Sequence, residues 1–170
     1  MSADLSALRL LLVDDNQHMR SIVRALFKGV GLHDIKEASN GAEALQILRS
    51  WTPDFAIVDY QMEPLDGVQF TELVRKSPDS KVPYLPIIML TAYADKRRVF
   101  EARDVGVNEV VVKPVTAGSL FSRMNAVIYK PRPYVRVPGD GYFGPERRRI
   151  SDPNYEGPKR RAEEQPSLEI

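Results

Sequence analysis

The 170-residue sequence has no cysteine, which excludes disulfides and thiolate metal sites and suits a reducing compartment. It has no run of even ten apolar residues, so nothing in it has the length of a membrane span. Its start, Met1-Ser2-Ala3-Asp4-Leu5, lacks a basic stretch leading into an apolar one and does not read as a secretory signal. Strong charge of either sign is missing as well. With 24 Lys and Arg against 23 Asp and Glu, the net charge of +1 gives no electrostatic case for nucleic acid or a membrane surface. What is present is 43% hydrophobic residues, enough for one packed core, and the expectation is a soluble, cytoplasmic chain.

Two periods alternate along most of that chain. Leu10-Leu11-Leu12-Val13 is a short apolar run of the kind a strand buried on both faces requires. Met19, Ile22, Val23, Leu26, Phe27 and Val30 then recur at helical spacing up to Gly31. Asp34–Ser39 reads as a weaker strand. Asn40 is placed to cap the next helix, with Glu43 completing a capping-box-like pair and Ala44, Leu45, Leu48 and Trp51 forming its apolar face. The same alternation continues through Phe55–Val58, a helix over 67–76, Ile87–Leu90, a charged helix over 95–105, Val110–Val112 and a closing helix ending near Ile128. Five βα units with short connections predict an α/β fold, a doubly wound five-stranded parallel sheet with helices on both faces.

Composition divides the chain into an N-terminal extension over 1–8, a domain over 9–128 and a tail over 129–170. The tail holds seven of the 13 prolines and four of the ten glycines, so it is expected to be extended and largely disordered unless it docks. It repeats a pattern: Tyr142-Phe143-Gly144-Pro145-Glu146-Arg147-Arg148 returns thirteen residues later as Tyr155-Glu156-Gly157-Pro158-Lys159-Arg160-Arg161. Tyrosine is a stackable anchor, Gly-Pro a bend and paired arginines a fork for carboxylates or phosphates, which fits a motif for an acidic partner or for the domain's own acidic rim. The arginine clusters are too short, and too diluted by Glu146, Glu156, Glu163 and Glu164, to argue nucleic acid.

In an open α/β sheet, ligands gather at the carboxyl ends of the strands. Asp14 and Asp15 follow the first strand, Asp59 the third, Thr91 the fourth and Lys113 the fifth. Clustered carboxylates repel unless one protonates or a cation sits among them. Hard oxygen ligands with few protein contacts suit Mg²⁺. A carboxylate can attack a phosphoryl group to form an acyl phosphate, and Mg²⁺, Lys113 and the Thr91 hydroxyl would neutralise the oxygens in flight. Small Ala92 beside Thr91 leaves room for the incoming group.

With these residues in place, 9–128 resembles the CheY-like receiver domain of two-component response regulators, in a single-domain form with a C-terminal tail. The resemblance makes Asp59 the phosphoacceptor. It makes Asp15 and Asp14 ligands of Mg²⁺ together with Asp59 and the backbone carbonyl of Gln61. Thr91 would follow the phosphoryl group and Lys113 would pair with it, Lys113-Pro114 being the family's usually cis pair. Three departures stand out. Glu63 precedes Pro64 where the family often has proline directly after the loop methionine. Val110 occupies the position of the usual aromatic switch, which puts the readout in question. Tyr93, two residues past Thr91, faces the phosphoryl group in this family and is positioned to shield an acyl phosphate from water.

The implied function is phosphorelay signalling. A histidine kinase or histidine phosphotransfer protein would be the donor, and an output protein, not named by the sequence, would be reached by protein contact. The chain would act as a monomer or weak dimer and would not be a turnover enzyme. The tail is too short for a DNA-binding or catalytic output domain. The retained alternative is a phosphate sink or relay intermediate without its own output. A haloacid-dehalogenase-type phosphohydrolase would need a second Asp two residues after Asp59, where Gln61 stands. A flavodoxin-like cofactor site would need a Gly-rich loop where Asp14-Asp15-Asn16-Gln17 stands.

Overall fold

Each apolar run becomes a strand and each 3.6-period segment a helix, in strict alternation. In the computed structural model, which describes residues 4–147, the order is β1 (Arg9–Val13), α1 (Gln17–Gly29), β2 (Asp34–Ala38), α2 (Gly41–Leu48), β3 (Phe55–Asp59), α3 (Gly67–Lys76), β4 (Ile87–Thr91), α4 (Lys96–Val105), β5 (Glu109–Val112) and α5 (Ala117–Tyr129). The five strands pair in parallel in the order β2-β1-β3-β4-β5, so the direction of winding reverses between β1 and β3.

The period of two along a strand decides which helix meets which residue. Leu11, Val13, Ala56, Val58, Ile87 and Met89 face α2, α3 and α4 through Leu48, Phe70 and Ala102. Leu10, Leu12, Phe55, Ile57, Ile88 and Leu90 face α1 and α5 through Phe27, Leu120 and Met124. β3 and β4 are buried at every position, which is why they read as unbroken apolar runs.

All five helices among the described residues start on a side-chain cap, at Asn16, Asn40, Asp66, Asp95 and Thr116, each accepting from the amide three residues on. Such a cap contributes about 1 kcal/mol. The pair expected at Asn40 and Glu43 forms only in part. Asn40 accepts from the Glu43 amide at 2.9 Å, but the Glu43 carboxylate turns to Ser39, taking its amide at 3.0 Å and its hydroxyl at 2.6 Å. The Asn40–Gly41 turn instead packs on the loop before α3, where the Gly41 amide donates to the Leu65 carbonyl.

The tail differs from the expected extended, disordered segment over the residues described. Residues 134–145 form an antiparallel hairpin, β6 (Tyr134–Val137) with β7 (Tyr142–Pro145), packed against the ends of α3 and α4. The prolines do not prevent this because Pro133 and Pro138 lie outside the strands and Pro145 ends β7. Buried Val135 and Val137 alternate with exposed Arg136, and Tyr84 meets Tyr134 and Phe143 edge-on at centroid distances of 5.2 and 5.4 Å, while Tyr134 and Phe143 lie tilted at 5.9 Å. At the contact, glycine meets glycine. A Cβ on Gly144 would sit 2.8 Å from Gly106 Cα, and Gly106 takes a left-handed φ of 103°. The N-terminal extension also joins the body of the protein, since Leu5 is buried in the same cluster as Leu10 and Phe27.

Buried Arg75 joins the two parts. It donates to the Gly106 carbonyl at 2.9 and 3.1 Å, to Asn108 Oδ1 at 3.0 Å and to the Pro83 carbonyl at 3.0 Å, under the face of Tyr134. Burial pulls the Arg75 guanidinium below its ordinary value.

Candidate functional site

The three carboxylates converge at the point where the sheet changes direction. Asp14 leaves β1 and is 1% exposed, Asp59 ends β3 and is 7% exposed, and Asp15 is exposed above them. One oxygen of each lies within 4.8 Å of the other two. Lys113, just past β5, reaches Asp59 Oδ1 at 3.1 Å and Asp14 Oδ2 at 3.8 Å. Thr91 closes β4 and is buried, its carbonyl accepting from the Lys113 amide at 2.7 Å. The Lys113–Pro114 peptide is cis, and so is Glu63–Pro64.

Burial without enough positive charge leaves its mark on the acids. Burial pushes the Asp14 carboxyl up to about 6, and the neighbouring Asp59 charge adds to this, while the Asn16 amide and Lys113 oppose it. Burial likewise raises Asp59, against the hydrogen bond and charge of Lys113. Asp14 Oδ1 accepts from the Asn16 amide at 2.9 Å, but Oδ2 is buried with no hydrogen-bond donor. One ammonium shared by buried carboxylates, with an oxygen left over, suits a divalent cation held by oxygen ligands.

Local backbone packing fixes Asp59. The Tyr60 amide donates to the Leu90 carbonyl at 2.8 Å, and the Gly67 amide returns to the Tyr60 carbonyl at 3.1 Å. A Cβ on Gly67 would collide with the Asp59 carbonyl, so only glycine lets α3 start this close to the acid. Arg20 of α1 donates to the Asp14 carbonyl and pairs with Glu37 at 3.3 Å, bracing the β1 end from the opposite side.

The remaining sequence-derived residues fall into three places. Gln61 lines an open basin with Asp15, Glu63 and Asp66 beside the acids. Ala92 is exposed, and Tyr93 is 50% exposed with its amide on Thr91 Oγ1 at 3.2 Å. Val110 is half-buried on β5 opposite Met89. Arg147 is buried far from the acids. It stacks 3.9 Å over Tyr142 and pairs with Asp104 of α4 at 3.1 Å and Asp140 at 3.2 Å. The first motif copy therefore docks within the chain at the amino-terminal edge of β4 and β5, opposite the acidic rim. Arg148, Arg160 and Arg161 lie outside the described residues.

Sequence reasoning missed one group near the acids. Arg98 of α4 lies 3.9 Å from the Tyr93 ring centroid and 5.6 Å from that of Tyr60, and Tyr60 donates to Glu101 Oε2 at 2.5 Å. No spacing in the sequence marks this group, because its members come from three separate segments.

Known proteins agree with this arrangement. Residues 10–125 match the family model described as the response regulator receiver domain. The chain is 33% identical to chemotaxis protein CheY-3 of Vibrio cholerae over 120 residues, covering 71% of this chain and 91% of that protein. It is 35% identical to chemotaxis protein CheY of Pseudomonas aeruginosa over 120 residues, covering 71% of this chain and 95% of that one. A response regulator structure from Chloroflexus aurantiacus superposes with a TM-score of 0.66 at 30% identity, over 72% of this chain and 98% of that chain. Among the described residues no helix is long and apolar enough to cross a membrane. With its sheet order, its acidic rim and the lysine that spans it, this chain belongs to the response regulator receiver family: it is a phosphorelay receiver, not a turnover enzyme.

Proposed function

We propose that Asp59 is the phosphoacceptor. The observation that carries this is the Asp59 carboxylate itself, at the carboxyl end of β3, 3.1 Å from Lys113 Nζ and beside two further carboxylates. An Asp59 oxygen attacks the phosphorus of a phosphohistidine, the P–N bond breaks, and the imidazole leaves with the electron pair and takes up a proton. The product is an acyl phosphate. Lys113 then pairs with the phosphoryl oxygens, and Thr91 follows them with its hydroxyl. Asp14, Asp15, Asp59 and the Gln61 carbonyl would hold Mg²⁺, which supplies positive charge to the transferring oxygens.

The donor is a histidine kinase or histidine phosphotransfer protein of the cytoplasm, and the output is contact with another protein. Tyr93 packs under Arg98 at the edge of the site, where its ring shields the acyl phosphate; Tyr93→Ala then speeds dephosphorylation. The test of the whole reading is Mg²⁺-dependent labelling from a small phosphodonor. Wild type takes up one phosphoryl group and Asp59→Asn takes up none; equal labelling of the two overturns the assignment.

A further inference from the structure

Tyr93 is tied down at two points, its backbone and its ring. The Tyr93 amide donates to Thr91 Oγ1 and the Thr91 hydroxyl donates to the Tyr93 carbonyl, both at 3.2 Å. The ring stacks on the Arg98 guanidinium, 3.9 Å from the centroid. On the reading proposed above, Thr91 turns its hydroxyl to the phosphoryl group and gives up the first tie. The second tie remains, since Arg98 belongs to α4 and not to the loop after β4.

Arg98 lacks the freedom of an ordinary surface arginine. Its side chain is 28% exposed, whereas Arg97 beside it is open to solvent. Its amide donates to the capping carboxylate of Asp95 at 2.9 Å, and the second oxygen of that carboxylate lies 3.8 Å from Nε. Tyr60 flanks the guanidinium 5.6 Å from its own ring centroid, and Glu101 of the same helix holds Tyr60. Nη1 is buried with no hydrogen-bond acceptor, so stacking on the two rings locates that end of the group. A planar guanidinium stacks on an aromatic face as a lysine ammonium does not. Half of Tyr93 is open to solvent, and the stack on Arg98 restrains its ring.

We propose that Arg98 is a positioning residue for the lifetime of the phosphorylated state: it holds the Tyr93 ring over the acyl phosphate. Loss of the phosphoryl group is hydrolysis. A water oxygen attacks phosphorus, the bond to the Asp59 oxygen breaks with its electrons left on the carboxylate, and both water protons leave with inorganic phosphate. A ring held in place narrows the approach of that water, and a ring released from Arg98 does not. This inference rests on the shielding role given to Tyr93 above.

Rates of label loss in Mg²⁺, measured after the phosphodonor is removed, test it. Arg98→Ala should lose label roughly 2- to 10-fold faster than wild type, as expected for a partly exposed cation–π contact. Arg98→Lys keeps the charge but not the plane and should fall between the two. It also carries the comparison where Arg98→Ala fails to fold. Arg98→Ala combined with Tyr93→Ala should be no faster than Tyr93→Ala alone. A helix merely loosened by the substitution adds its effect on either background, so additive rates overturn the proposal. An unchanged rate in Arg98→Ala beside a fast Tyr93→Ala overturns it too, and leaves the shield standing. If Tyr93→Ala itself matches wild type, the shield falls and the role of Arg98 with it. A second measurement needs no phosphate. The Tyr93 ring protons should show NOEs to the Arg98 side chain, and in Arg98→Ala their NMR signals should move toward those of a free tyrosine. Ring signals unmoved by Arg98→Ala overturn the proposal whatever the rates.

Discussion

Tyr60 donates its hydroxyl to Glu101 Oε2 at 2.5 Å, so the residue next to Asp59 in the chain is tied to the second turn of α4. Arg98, one turn earlier on the same helix, stacks on Tyr93, whose amide rests on the Thr91 hydroxyl. The α4 helix is thus linked to Asp59 through Tyr60 and to Thr91 through Tyr93. Val110 on β5 has no aromatic ring to move, and these two tyrosines offer a side-chain route from Thr91 and Asp59 to α4.

Replacing the hydroxyl tests this link. Burial first, and then the Glu101 carboxylate, push the Tyr60 phenol up to about 12. The native state therefore holds this proton more tightly than the unfolded chain. The stabilisation is complete below about pH 10 and is lost as pH rises through about 12. In Glu101→Gln the phenol should fall but stay above its ordinary value, because burial is the larger cause. Absorbance titration against Tyr60→Phe isolates it from the other six tyrosines. In Tyr60→Phe, phosphorylation should still label the protein while the amide shifts it induces in α4 shrink. Undiminished α4 shifts would rule the link out.

The hairpin is part of the folded body, and one methyl group tests that. In Gly144→Ala the new Cβ meets Gly106 Cα at 2.8 Å and the Tyr142 hydroxyl at 2.7 Å. Overpacking of this kind costs about 1–3 kcal/mol. It should appear as a lower denaturation midpoint with phosphorylation unchanged, since the contact is at the edge of the sheet opposite the acids. Gly141→Ala in the turn has open space around it but a φ of 72°, so its smaller cost is one of backbone strain alone.

Most of the sheet and all of the acidic rim were legible in the sequence because both depend on short-range pattern. Parallel strands buried on both faces produce runs such as Ile87–Leu90, and Asp14, Asp59, Thr91 and Lys113 each directly follow such a run, with Asp15 one residue further on. The hairpin is legible only in part. Tyr134-Val135-Arg136-Val137 alternates, Pro138-Gly139-Asp140-Gly141 is turn chemistry, and Tyr142-Phe143 resumes the strand. The high proline content of the tail as a whole hides that Pro133, Pro138 and Pro145 fall outside or at the ends of the strands. The Tyr60–Glu101 and Arg75–Asn108 contacts were not legible at all, since residues 41 and 33 positions apart meet only once the fold brings them together.

Gly67 tests how finely Asp59 is positioned. In Gly67→Ala the Cβ is driven into the Asp59 carbonyl and toward Met89 Cε. A displacement near 1 Å at a reacting group costs on the order of 100-fold in rate. Phosphorylation from a small donor should therefore slow by roughly 10- to 100-fold. Gly118→Ala is the control. It sits in the first turn of α5 with its nearest neighbour 4.0 Å away, so labelling should be unaffected.

The metal-free protein should have an inverted pH response. With the Asp14 carboxyl near 6 and Asp59 also raised, the native state binds more protons than the unfolded chain between about pH 4 and 6. Stability without divalent cation therefore falls as pH rises through that window, by up to about 3 kcal/mol for a two-unit shift. Mg²⁺ should reverse the trend, stabilising strongly at pH 7 and weakly at pH 5, where a proton on Asp14 competes with it. Asp14→Asn removes the buried charge. It should raise metal-free stability at pH 7, flatten the pH profile and abolish most of the Mg²⁺ effect. Urea midpoints with and without a chelator at the two pH values decide the matter. A metal-free midpoint that climbs between pH 5 and pH 7 would show that neither acid is held protonated by its burial.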